Sequence, residues 1–66
     1  MKKPITHDAL RTWGLLNDAI RGADEGECRV LLAAEKRGRR RKQFLKRIHS
    51  RLNKVRAERE REELLE

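Results

Sequence analysis

Apolar residues recur along this chain at steps of three and four, and no stretch alternates at steps of two. In the first third, Ala9, Leu10, Trp13, Leu16, Ala19 and Ile20 fall on one side at the helical period, with Ala23 beyond. The pattern predicts a helix over residues 6–21. Thr6 or Thr12 can cap it, because either hydroxyl can accept from a first-turn N–H. Gly14 costs up to about 1 kcal/mol against alanine inside a helix, so the spacing also fits a helix from Thr12 preceded by a separate turn over residues 6–11. Gly22 is placed to end the element in a left-handed conformation.

The second element opens at Asp24-Glu25-Gly26-Glu27, where Asp24 and Glu27 have the i, i+3 spacing of a capping box. The acidic first turn also suits the positive end of a helix dipole. Cys28, Leu31, Leu32 and either Ala34 or Glu35 form its expected buried side, Lys36 and Arg37 its last turn, and Gly38 its stop. The third element runs from about Arg40 to the end of the sequence. Phe44, Leu45, Ile48, Leu52 and Val55 make its stripe, which ends where Arg59 occupies an apolar position. Residues 57–66 are expected to be a solvated extension or a frayed end. Arg56–Glu60 and Arg59–Glu63 are i, i+4 pairs there, each contributing about 0.2–0.5 kcal/mol. The fold expected is all-α, a single small domain over residues 1–66. Two short helices form an antiparallel pair, and a longer basic helix lies across them.

Composition limits what such a domain can do. Of 66 residues, 36% are hydrophobic and 44% charged, and Trp13 and Phe44 are the only aromatics. The core must be small, so Trp13, its largest apolar side chain, is expected inside it, the alternative being an exposed anchor for a partner. A stability of about 3–5 kcal/mol is the most a core of this size gives. A single cysteine, Cys28, excludes an intramolecular disulfide and a multi-cysteine zinc site. No apolar run has the length of a signal peptide or a membrane span. A soluble, cytoplasmic protein is expected.

The net charge of +7 conceals a partition. Residues 1–35 carry five basic and six acidic side chains, residues 36–56 eleven basic and no acidic ones, and residues 57–66 two basic and five acidic ones. The excess therefore lies in the second turn and the first half of the third helix. On a helical projection Arg40, Arg47, Arg51 and Lys54 lie on one side of the apolar stripe. Lys42, Lys46, His49, Asn53 and Arg56 lie on the other. A density of basic groups this high without an acid exceeds what solubility needs and is the footprint of a polyanion site. The arginine fork suits phosphate or carboxylate. The candidate partner-binding residues are Arg37, Arg39, Arg40, Arg41, Arg47, Arg51 and Lys54.

Catalytic and metal chemistry find no support. His7 and His49 lack ligand-type company, Asp24, Glu25 and Glu27 look like a cap, and there is no glycine-rich phosphate loop. Cys28 is expected as a small core residue. A chain this short is not expected to enclose a ligand pocket of about 300 Å³. No enzyme, metal, cofactor or small-molecule substrate is expected.

The run from Glu27 to Arg61 resembles small basic helical proteins of tailed bacteriophages. The likeness lies in Leu31-Leu32-Ala33-Ala34-Glu35-Lys36 before Gly38, then in Phe44-Leu45-Lys46-Arg47-Ile48-His49-Ser50-Arg51-Leu52. Some proteins of that kind bind the host RNA polymerase. The resemblance covers the last two-thirds of the chain. It implies a host-takeover or antitermination role. Together with the charge pattern, the expected function is a non-enzymatic regulator that docks on RNA polymerase or a similar protein, with its basic helix on nucleic acid or an acidic protein face. It assigns no role to an individual residue. Two further readings stand beside it: an assembly module that forms homo-oligomers through its long helix, and a protein that binds DNA or RNA directly.

Overall fold

A computed structural model describes residues 7–66. A 3-10 turn, His7–Leu10, leads into α1 (Trp13–Arg21), α2 (Glu25–Arg37) and α3 (Lys42–Leu65). The domain is all-α, and α3 is the longest helix.

Each boundary has a local cause. Thr12 is extended, and its hydroxyl accepts from the Leu15 N–H at 3.1 Å. That cap starts α1 at Trp13 and leaves the preceding residues as a separate turn; Thr6 lies outside the described residues. The capping box of α2 is complete. Asp24 Oδ1 accepts from the Glu27 N–H at 2.8 Å, and Glu27 Oε1 from the Asp24 N–H at 3.0 Å. The third helix begins at Lys42, two residues later than the sequence suggests, after Arg41 in extended conformation.

The glycines do not act as expected. Gly22 has φ −113° and Gly38 φ −97°, so neither is left-handed. Gly38 still ends α2, its N–H donating to the Ala34 and Glu35 carbonyls. A Cβ there would lie 3.2 Å from the Ala34 carbonyl oxygen, so close approach is what favours glycine. The left-handed position is Arg40, at φ 52°. Its N–H donates to the Glu35 carbonyl at 2.9 Å, and its guanidinium to the Lys36 carbonyl at 3.2 Å. These two bonds hold a conformation that costs a side-chain-bearing residue about 1–2 kcal/mol.

The expected pairing of α1 with α2 is also corrected. The main packing is α2 against α3, antiparallel, with the 3-10 turn and α1 seated on them. The core is Leu16, Ile20, Ala23, Cys28, Leu31, Phe44, Ile48 and Leu52, with Ala9, Leu10 and Leu32 at its margin. Burying each large member contributes about 1.5–3 kcal/mol. Burial also pushes the Cys28 thiol pKa up.

Trp13 is not in this core. It is 43% exposed and meets the Phe44 ring edge-on, centroids 5.5 Å apart at 65°. The Arg41 guanidinium lies over the same ring at 3.5 Å. An indole edge and a cation thus cover Phe44, and Trp13 remains outside as their rim.

Candidate nucleic-acid interface

The structure separates the basic residues into groups with different work. Arg41 is built into the fold. Glu35 is buried, 2% exposed, and its Oε2 accepts from the Arg41 N–H at 2.8 Å and from Nε at 2.9 Å. Oε1 accepts from Nη2 at 2.8 Å, and Nη2 also donates to the Leu10 carbonyl at 2.7 Å. The guanidinium ties the α2–α3 turn to the 3-10 turn. Its hydrogen bonds hold the Glu35 carboxyl below the usual carboxylate range, and Glu35 in turn raises the Arg41 pKa. Arg41 is a brace whose Nε and Nη2 are engaged within the fold.

Arg47 and Arg51 are half-buried along α3. Arg47 Nε donates to Asn17 Oδ1 at 2.7 Å, and Arg51 Nε to the Ala23 carbonyl at 3.1 Å. Each bond uses one of five guanidinium N–H groups. The terminal nitrogens stay available on a side chain whose position is already fixed. These two arginines line a groove of about 290 Å³ with Lys54, Ser50, Ile20 and Arg21. None of the lining residues is acidic. Arg21 has only a 4.0 Å contact to Asp18, both side chains being largely exposed, so the pair holds it weakly.

Arg37, at the end of α2, and Arg39, in the turn, are exposed, and Arg40 is occupied beside them with the Lys36 carbonyl. Arg39 and Arg41 border a second groove, of about 350 Å³, with Arg11, Leu10 and Glu35. Both grooves are open troughs between helices rather than enclosed pockets. Of the seven candidate residues, the structure brings Arg47, Arg51 and Lys54 together. Arg37, Arg39 and Arg40 stay at the turn.

Sequence reasoning missed Arg21 and Ser50. Ser50 lies between the two arginines on α3, but Arg21 is on α1 and joins only by tertiary packing. Arg59 was also missed as a brace. It donates to Glu25 Oε1 at 2.9 Å and to Glu63 Oε1 at 2.8 Å. With Arg29 it holds the Glu25 carboxyl below its ordinary pKa, and it fastens the far end of α3 to the start of α2. The expected Arg59–Glu63 pair is therefore part of a larger network.

Among the described residues, no three His, Cys, Asp or Glu side chains are placed to hold a metal ion. No helix among them is long and apolar enough to cross a membrane. No family model, curated protein or solved structure matches the chain.

Proposed function

We propose that the chain is a small non-enzymatic binding protein of a nucleic-acid machine, with the α3 groove seated on the phosphodiester backbone. One observation carries this reading. Arg47 and Arg51 are held by their Nε atoms beside Arg21, Lys54 and Ser50, in a groove without an acid. Cations fixed before binding lose little side-chain entropy when an anion arrives. Successive members Arg47, Arg51 and Lys54 are about 4–6 Å apart along the helix axis, a spacing that suits a row of phosphates. The resemblance to tailed-phage proteins supports transcription as the setting and RNA polymerase as the protein partner.

The test uses Arg21 and Lys54, because replacing Arg47 or Arg51 would also remove a bond that supports the fold. Binding to duplex DNA and to single-stranded RNA is followed by fluorescence anisotropy across a salt series. Four phosphate contacts predict a log–log slope near −3.6 on duplex DNA. The double variant Arg21→Ala, Lys54→Ala should flatten it by about two. Removing the same charge outside the groove, at Arg29 and Arg61, should cost less affinity. Equal losses in the two variants, with helicity retained, would overturn the assignment of the groove. Capture of RNA polymerase that survives nuclease treatment tests the transcriptional setting.

A further inference from the structure

Past Arg59 and its partner Glu63, the C-terminal end of α3 is exposed. Leu64 and Leu65 are 85% and 80% exposed, and Glu60, Glu62, Glu63 and Glu66 surround them. Elsewhere on the molecule a mostly apolar trough of about 260 Å³ lies between α2 and α3. It is lined by Leu32, Lys36, Leu45, Lys46 and His49. One feature is an acidic segment with an exposed leucine, and the other an apolar trough with a basic rim.

The trough and the tail lie on the same face of one helix. At about 100° per residue, Leu45, Lys46, His49, Asn53, Arg56, Glu60, Glu63 and Leu64 occupy an arc of about 100°. Leu65 points away from it. Leu64 is about 28 Å along a continuous helix from Leu45, so the tail cannot reach its own trough. A second copy can. Two α3 helices placed antiparallel about a two-fold axis near residues 54 and 55 bring Leu64 of each onto Leu45 of the other. The same register sets Lys46 opposite Glu63 and His49 opposite Glu60. Every contact occurs twice, as a two-fold interface requires.

We infer that this face of α3 is a self-association surface, with the acidic tail of one copy docked in the Leu32–Leu45 trough of another. Leu64 supplies the apolar contact, since exposed ion pairs alone contribute little. Charge fixes the register and the antiparallel sense. In the tail, Glu63 Oε1 is already taken by Arg59, and Oε2 is the oxygen that meets Lys46. The groove of Arg47, Arg51 and Lys54 lies on the other side of the core stripe. The pair therefore leaves it open, and this inference does not rest on the nucleic-acid reading.

Sedimentation of the pure protein at low salt, without nucleic acid, tests the interface. The native chain should self-associate, and added salt should weaken it. Lys46→Glu or Glu63→Lys alone should weaken association by at least about tenfold, because each places like charges together twice. The double variant carrying both exchanges the charges and should recover to within about threefold. Leu64→Ser should also weaken association, and circular dichroism checks that each variant keeps its helices. A native chain that stays monomeric would overturn the inference. So would association that the single variants leave unchanged, or a double variant that does not recover.

Discussion

Glu35 is the one buried charged residue among the described positions, and its neutralisation puts the logic of the α2–α3 turn to a direct test. Glu35→Gln keeps the shape of the side chain. It replaces one acceptor oxygen by an NH2 group, and both carboxylate oxygens receive N–H donors. Whichever way the amide turns, donor meets donor. At least one charge-assisted bond, worth about 1.5–3 kcal/mol, is lost, and those that remain are weaker. A loss of about 2–3 kcal/mol is expected, against a total of about 3–5 kcal/mol for a core of this size. At 4–8 °C per kcal/mol for small domains, the midpoint should fall by about 10–20 °C.

The same variant has a signature in pH. The Arg41 hydrogen bonds hold the folded-state pKa of Glu35 below its ordinary 4.5. The unfolded chain therefore takes up the proton first as pH falls. The contribution is complete above 4.5 and disappears as pH drops through the lower folded value. Native and Glu35→Gln chains should differ most at neutral pH and converge in acid, as protonated Glu35 loses the charge that glutamine never had. Urea unfolding followed by circular dichroism at several pH values measures both effects. A neutral-pH difference under about 0.5 kcal/mol, or one that stays constant on acidification, would refute the reasoning.

Two further predictions concern the helix boundaries. Asp24→Ala removes the acceptor for the Glu27 N–H and should cost about 1 kcal/mol in urea unfolding. Arg40→Gly relieves the left-handed φ of 52° and should raise stability by about 0.5–1 kcal/mol. A fall instead would mean that the guanidinium bond to the Lys36 carbonyl matters more than the backbone strain.

Elements held by local interactions were the legible part of the fold. The Thr12 cap, the Asp24–Glu27 box and the stripe of Ile48 and Leu52 depend on residues within one or two turns of each other, and spacing alone exposes them. The exposure of Trp13 and the roles of the glycines are not legible in the spacing, because their environment comes from elsewhere. Arg41, from the α2–α3 turn, lies over Phe44, and Trp13 meets the same ring while staying 43% exposed. Gly38 is required by the nearness of the Ala34 carbonyl, and the left-handed turn moves on to Arg40.

The same distinction governs the candidate interface. A run of eleven cations without an acid was visible in the sequence, but charge density does not say which cations the fold consumes. Arg41 faces a buried carboxylate six residues earlier. Arg47 and Arg51 reach acceptors contributed by α1 and the loop after it. An acceptor such as the Ala23 carbonyl carries no sequence signal, since every residue has one. What folding leaves is smaller and more directed than the charge run. Two arginines are fixed at Nε and joined by Arg21 from another helix, and their free nitrogens lie beside Lys54 in one groove. If that groove is where a polyanion sits, the arginines that orient it are the same ones that fasten α1 to α3, so partner binding and the seating of α1 should strengthen together.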